Sequence, residues 1–419
     1  MNPISNLVDK KLGKNPVSQG SAEPRQSETE TMRAVTWQGK RKMEVQTVPK
    51  PLVTHPEDAI IKVTAMTICS GSDSHLYASE IPNIHHGQIV GHEAMGVVES
   101  VGDGVQNIKV GQRCVISFSV ACGKCEQCQK QNFTACETTN DSKLAEKMYG
   151  HSPSGLFGYG NLLGGIWGSQ AEYVRVPFAD TNCFPVPDDV PDEKALYLSD
   201  VLGTSLHGTV LAEVKEGDTV AIWGLGPIGL CTARWCQIKG ASKIVGIDMV
   251  PERLALAKNA LGIEVLDRTG FSSEEVCNKL LELEPSGFDA VIECVGFRFA
   301  MSTKHKVQRA IGLETDTPEI IHEALKCMKG YGHLAIIGDY AFLANSFPIG
   351  LIMFKHATVR SGQAPVQRYF KEIMDAVQKG TFDPTFIITN KIKIEDVPFA
   401  YEKLFQKEDG WIKVFVDMK

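Results

Sequence analysis

The sequence predicts an α/β protein in two parts, a β-rich domain followed by a doubly wound parallel sheet. Up to about residue 200, short β-like runs ("AIIKVTAM", "MGVVESVG", "RCVISFS", "AEYVRVP") alternate with Gly, Pro and Asp turns. Beyond that point the apolar runs "TVAIWG", "KIVGIDM", "DAVIECVG" and "HLAIIGD" are separated by helix-compatible stretches such as "PERLALAKNAL". This alternation is that of a parallel sheet covered on both faces. The 419 residues, 43% apolar and 22% charged, suffice for two or three domains with ample core.

Residues 1–30, with "KNPVSQGSAEPRQSETE", are polar and nearly free of aromatics, the composition of a disordered tail. Met32 opens "MRAVTWQGK", the first expected strand. The β-rich domain is expected over 31–200 and the parallel-sheet domain over 201–363. Residues 364–419 return to the first domain with a helix ("VQRYFKEIMDAVQKG") and a closing strand ("WIKVFVDMK").

Net charge is −7 and no Lys/Arg stripe appears, which argues against nucleic acid and anionic membrane as partners. The most apolar windows, such as Val220 to Cys231, are glycine-broken and too short to cross a bilayer. No signal peptide is visible, so the expected location is cytoplasmic. In that reducing setting the 12 cysteines, several of them clustered, are expected to hold metal rather than form disulfides.

"TVAIWGLGPIGLCTARW" places Gly224, Gly226 and Gly229 in a G-x-G-x-x-G spacing, with Pro227 and Ile228 opening the helix. The first glycine permits a tight turn, the second lets backbone approach a pyrophosphate, and the third lets helix pack on strand. Asp248 ends the next strand, about 20 residues on, where an acid takes the adenosine ribose hydroxyls and repels a 2′-phosphate. NAD is the expected cofactor, with Arg253 also within reach of the adenosine side.

"ACGKCEQCQKQNFTAC" supplies Cys122, Cys125, Cys128 and Cys136, two successive C-x-x-C steps in a polar loop. Four thiolates so spaced match closed tetrahedral sites for structural zinc. A second group of ionisable or metal-binding residues, Cys69, His75, His92 and Glu93, lies among glycines and small polar residues in "TICSGSDSHLYASEIPNIHHGQIVGHEAMG".

Through "GHEAMGVVESVG", the four-cysteine loop and "GLGPIG", residues 32–419 resemble the zinc-dependent alcohol dehydrogenases of the medium-chain dehydrogenase/reductase superfamily. "YGHSPSGLFGYGNLLGG", "LSDVLGTSLHG", "GLETD" and "GQAPVQRYF" resemble its glutathione-independent formaldehyde dehydrogenase-like branch. The resemblance implies a GroES-like catalytic domain, a Rossmann cofactor domain, and two zinc ions per chain. It implies Cys69, His92 and Asp200 as ligands of a catalytic zinc, with a fourth position for substrate oxygen.

It further implies Ser72 and His75 as a proton relay, Asp73 and Glu93 as groups that orient ligands or tune charge, and Thr204 beside the nicotinamide. The family motif C-G-[ST]-D-x-H is one residue longer here, Cys69-Ser70-Gly71-Ser72-Asp73. Counting from the preceding strand puts Cys69 at the metal; counting back from "GSDSH" puts Ser70 there. A thiolate is the better ligand, so the extra residue is expected as a bulge after Cys69. His85 and His86 are expected in a solvated loop, and His151 and His207 are unassigned.

The segment "FRFAMSTKHKVQRAIGLETDTPE" reads as a surface loop, and by resemblance as a cover that slows cofactor release. The implied activity is hydride transfer between NAD and a primary alcohol, an aldehyde or an aldehyde hydrate, by a homodimer or homotetramer. The competing readings are an NADPH-dependent biosynthetic reductase and a non-catalytic dinucleotide-binding sensor or scaffold.

Overall fold

The computed structural model describes residues 25–81, 84–296, 316–341, 343–408 and 410–419. The chain divides into two compact units, one formed by the segment up to Gly203 together with Ala364–Lys419, the other by Thr204–Gln363.

The first unit is built on a seven-stranded sheet. Its path runs Ile388–Ile392, Lys413–Asp417, Ala59–Met66, Ala94–Val101, Arg113–Ile116 and Cys183–Pro185, and Tyr173–Val176 also pairs with Ala59–Met66. All of these pairings are antiparallel except the parallel pair formed by Ile388–Ile392 and Lys413–Asp417. Ile61, Val63, Val98, Ile116, Val174 and Val414 point into one buried cluster, the half-buried pattern that alternating strands give. The C-terminal segment thus completes the sheet of the N-terminal unit, since Val416 pairs with Met66.

A hairpin of Gln26–Gly39 and Lys42–Pro51 stands apart from this sheet. Its first strand begins six residues before Met32, so "QSETE", expected in the tail, is strand. Pairing at the outer end (Gln26 with Pro51) holds a run whose side chains remain mostly exposed, which is why composition does not betray it.

The second unit carries six parallel strands. Their order is Glu264–Asp267, Lys243–Asp248, Thr219–Trp223, Phe288–Glu293, Met328–Ile336 and Thr358–Ser361. In sequence terms this is 3-2-1-4-5-6, the doubly wound order, which leaves a crevice outside the carboxyl ends of the central strands. Val220 to Trp223 and Ala290 to Glu293 are buried without interruption, as strands covered on both faces require. Most of the segment expected as a cofactor cover, 297–315, lies outside the described residues.

Candidate metal centre and cofactor site

The first unit brings Cys69, His92, Glu93 and Asp200 together, one ligand atom of each lying within 4.8 Å of the others. Cys69 follows the end of strand Ala59–Met66, and His92 and Glu93 immediately precede strand Ala94–Val101, its antiparallel neighbour. Asp200 follows a short helical turn, Leu196–Ser199. His92 and Glu93 are buried, at 3% and 0% exposure. The extra residue near Cys69 forms no bulge in a strand. The ladder ends at Met66, and Ser70 and Gly71 make a turn into the helix Ser72–Tyr77. Ser74 closes this turn, its N–H donating to the Gly71 carbonyl at 3.0 Å and its hydroxyl to the Ser70 carbonyl at 2.9 Å. The turn absorbs the insertion because no partner strand fixes its length.

His92 Nε2 stands 3.5 Å from Asp200 Oδ2, and Nδ1 stands 3.3 Å from Asp73 Oδ1. Around zinc, ligand bonds of about 2.0–2.3 Å in tetrahedral array separate donors by roughly 3.3–3.8 Å. Two carboxylates, a thiol and an imidazole gather here, His92, Glu93 and Asp200 buried and Cys69 half-buried, donor types that a divalent cation such as zinc takes. Burial pushes the Cys69 thiol up, partly countered by His92. At His92 burial disfavours the imidazolium, but the Asp73 and Asp200 carboxylates outweigh it and raise the pKa well above the usual value. Both oxygens of Glu93 are engaged by Lys413, whose ammonium donates to them at 2.7 and 2.9 Å and to the Ile68 carbonyl at 3.0 Å. The donor set that remains for an ion is Cys69, His92 and Asp200.

Ser72 and His75 lie one turn apart on the helix Ser72–Tyr77 and so share a face. His75 is 5% exposed, and its Nδ1 stands 2.7 Å from Glu80 Oε2. His85 and His86 are exposed, as is His151, whereas His207 is buried within helix Val201–Leu211.

The four-cysteine cluster also assembles. Cys122 Sγ lies 3.9 Å from Cys128 Sγ, and Cys125 Sγ 3.9 Å from Cys136 Sγ. Tetrahedral zinc with bonds of about 2.3 Å separates sulfurs by about 3.8 Å, so the set fits that ion. Backbone N–H groups of Lys124 and Cys125 donate to Cys122 Sγ at 3.4 and 3.3 Å, and that of Cys122 to Cys136 Sγ at 3.3 Å, hydrogen bonds that favour thiolates.

In the second unit each of the three glycines meets a different steric condition. Gly224 has φ +88°, and a Cβ there would meet the Cys294 carbonyl at 2.9 Å. At Gly229 a Cβ would lie 1.8 Å from the Gly224 carbonyl oxygen, so helix and turn pack too closely for any other residue. Gly226 faces open space but for Arg253 Nη1 at 3.7 Å, which leaves room for a pyrophosphate at the N-terminus of helix Pro227–Ile238. Asp248 Oδ2 accepts the Leu225 N–H at 2.6 Å, Oδ1 accepts those of Met249 and Val250 at 2.6 and 3.0 Å, and Arg253 Nη1 stands 3.8 Å away. The residues fit a dinucleotide. Thr204 opens this unit, within helix Val201–Leu211.

Sequence reasoning missed several residues that build these sites: Lys413, Gln170, Tyr401, Glu80 and Glu293. The Glu293 carboxylate is buried at the end of its strand and accepts N–H groups from two loops. Val295 and Gly296 bond to it at 2.7 Å each and Gly338 at 3.2 Å. A carboxylate directly before the glycine-bearing "CVG" was the one available signal.

Fold and sites together define a two-unit protein of the metal- and dinucleotide-dependent oxidoreductase class. The model of the alcohol dehydrogenase GroES-like domain matches residues 55–188, and that of the zinc-binding dehydrogenase matches 227–312. A zinc-type alcohol dehydrogenase-like protein of Schizosaccharomyces pombe is 52% identical over 99% of this chain and 98% of its own. The glutathione-independent formaldehyde dehydrogenase of Pseudomonas aeruginosa is 31% identical over 88% and 94%, a more distant likeness. Among solved structures, alcohol dehydrogenase TADH from Thermus sp. ATN1 superposes with a TM-score of 0.77, at 31% identity, over 93% of this chain and 100% of that one. The chain belongs to the zinc-dependent alcohol dehydrogenases of the medium-chain dehydrogenase/reductase superfamily. Among the described residues no helix is long and apolar enough to cross a membrane.

Proposed function

We propose that the chain is a zinc-dependent oxidoreductase that passes a hydride between NAD and a primary alcohol or aldehyde, including an aldehyde hydrate reacting as a diol. The observation that carries this reading is the Cys69–His92–Asp200 set, Cys69 half-buried and the other two buried, with Glu93 paired to Lys413 beside it. Bound by those three residues, zinc would supply the Lewis acidity that lowers the pKa of a substrate hydroxyl. Cys69 and Asp200 give the same formal charge as two thiolates, while the carboxylate donates less electron density. Asp73 orients the His92 ring. Ser72 would take the hydroxyl proton and His75 pass it outward, with Glu80 holding the far side of that imidazole. Phe118 and Tyr159 stand edge-on to His92 at 6.3 and 6.4 Å, apolar walls suited to a small carbon skeleton.

Bound in the second unit, NAD would supply the hydride acceptor. Gly224, Gly226, Pro227, Ile228 and Gly229 would present the helix N-terminus to its pyrophosphate, with Thr204 toward the nicotinamide. Asp248 supports NAD over NADP through repulsion of a 2′-phosphate. Arg253, 3.8 Å from that carboxylate, favours the second reading, an NADPH-dependent reductase. The four cysteines would hold a second, structural zinc.

Strand Thr358–Ser361 ends the parallel sheet, and Ile349, Met353 and Phe354 nearby are 69%, 72% and 82% exposed. An open edge beside apolar side chains supports a homodimer or homotetramer, which light scattering would size. Cysteines without a disulfide among the described residues support a cytoplasmic location.

The test is NADH absorbance over a panel of short, aromatic and hydrated substrates, with NAD and NADP side by side and metal content measured in parallel. Turnover with NAD and two zincs, falling to one zinc and no turnover in Cys69→Ala, is expected. Silence across the panel with zinc bound would favour the sensor or scaffold.

A further inference from the structure

Behind Asp73 a buried chain of hydrogen bonds continues through residues that the reading above does not use. Asp73 Oδ2 accepts the Cys69 N–H at 3.0 Å and a Gln170 side-chain N–H at 3.2 Å. Oδ1 faces His92 Nδ1 at 3.3 Å, and among the described residues neither atom makes a hydrogen bond, so the two are unsatisfied and lie opposite each other. Gln170 Nε2 also donates to the Thr67 carbonyl at 3.1 Å, while Oε1 accepts the Tyr401 hydroxyl at 2.9 Å. The nitrogen end of the amide therefore faces two acceptors and the oxygen end one donor. Flipping it would set its oxygen against a carboxylate and a carbonyl, which fixes its polarity.

The backbone locks Gln170 in place. Its N–H donates to the Val90 carbonyl at 3.0 Å, its carbonyl accepts the Val35 N–H at 2.8 Å, and the Ser169 N–H donates to the Gly91 carbonyl at 2.9 Å. Gly91 has φ +87°, and a Cβ there would lie 2.2 Å from Gln170 Cγ. The residue before His92 is glycine because the Gln170 side chain lies against it. Tyr401, 1% exposed, arrives from helix Val397–Gln406 in the returning C-terminal segment.

We propose that Gln170 and Tyr401 are positioning residues for the metal centre. They aim the Asp73 carboxylate so that Oδ1 receives the Nδ1–H of His92, which leaves Nε2 as the unprotonated nitrogen facing Asp200 and Cys69. The inference rests on the reading of Cys69, His92 and Asp200 as zinc ligands.

The experiment measures zinc content of the full-length protein and zinc transfer to a chromophoric chelator, for wild type, Tyr401→Phe, Gln170→Met and Gln170→Glu. The four-cysteine zinc serves as the internal control for folding. Loss of such supporting hydrogen bonds weakens metal binding by about 10–100-fold, so one zinc equivalent in Gln170→Met should bind about tenfold more weakly. Tyr401→Phe, which drops only the hydroxyl, should weaken it by a smaller factor. Gln170→Glu keeps the shape and turns an acceptor toward Asp73 and Thr67, and should weaken it most. The other equivalent should not change.

Wild-type affinity in Gln170→Glu would mean that the side chain only fills space, and would overturn the proposal. So would wild-type affinity in both other variants. If the Gln170 variants do not fold, Tyr401→Phe decides alone. Wild-type protein holding only the four-cysteine zinc would remove the ligand reading and this inference with it. Two zincs held equally well by wild type and variants would remove this inference alone.

Discussion

Lys413→Met offers the sharpest test of how the metal centre is held together. Lys413 and Glu93 are both 1% exposed at the side chain, and the ammonium makes three hydrogen bonds there, two to the carboxylate and one to the Ile68 carbonyl. Burial lowers the Lys413 pKa, but Glu93 and Cys69 outweigh it and raise the pKa above the ordinary value, so the ammonium is charged. Methionine fills a similar volume and leaves a buried carboxylate without its counter-ion. Removing one partner of such a pair costs about 3–5 kcal/mol, whereas replacing both by neutral groups of similar size is often close to neutral. Urea unfolding followed by far-UV circular dichroism, on wild type, Lys413→Met, Glu93→Gln and the double variant, gives the coupling energy directly. The expected outcome is a loss of about 3–5 kcal/mol in Lys413→Met, most of it recovered in the double variant. A Lys413→Met protein within about 1 kcal/mol of wild type, in the range of a surface pair, would refute the reasoning.

Other substitutions probe separate parts of the molecule. Cys128→Ser should cost one of two zinc equivalents by atomic absorption and open the loop 122–136 to protease, while the Cys69–His92–Asp200 metal stays. Asp248→Asn removes the charge that repels a 2′-phosphate and should shift the NADP to NAD ratio of kcat/KM upward by roughly tenfold, the worth of about 1.4 kcal/mol. Burial raises the Glu293 carboxyl from 4.5 to about 7, against three N–H donors that lower it. The folded state thus binds the extra proton, and the stability it confers is present below pH 4.5 and lost as pH rises to about 7. Melting temperature followed from acid to neutral pH should fall through that window in wild type, and this fall should shrink in Glu293→Gln.

The features legible in the sequence were those whose parts lie close together along the chain. Cys122 to Cys136 form one loop, and Gly224 to Gly229 one strand–turn–helix, so ligand spacing and turn chemistry reveal them without tertiary knowledge. The parallel sheet was legible because strands buried on both faces are continuous apolar runs, as in Val220 to Trp223. Strand Ile388–Ile392 escaped notice because "ITNKI" is half exposed and takes its register from Lys413–Asp417. The insertion was expected after Cys69, but as a bulge, because only the end of the ladder at Met66 shows that the length is taken up in a turn at Ser70 and Gly71.

Local chemistry in the chain thus specified which side chains could hold a cation and a pyrophosphate. Folding alone decided which groups stand behind them. Lys413 meets Glu93 across 320 positions, Tyr401 meets Gln170 across 231, and Gln170 meets Asp73 across 97. A lysine, a tyrosine and a glutamine carry no mark of such a role in their own neighbourhoods. Each acquires it because a buried charge or amide must find a partner, and the sheet that the C-terminal segment completes brings that partner within hydrogen-bond distance.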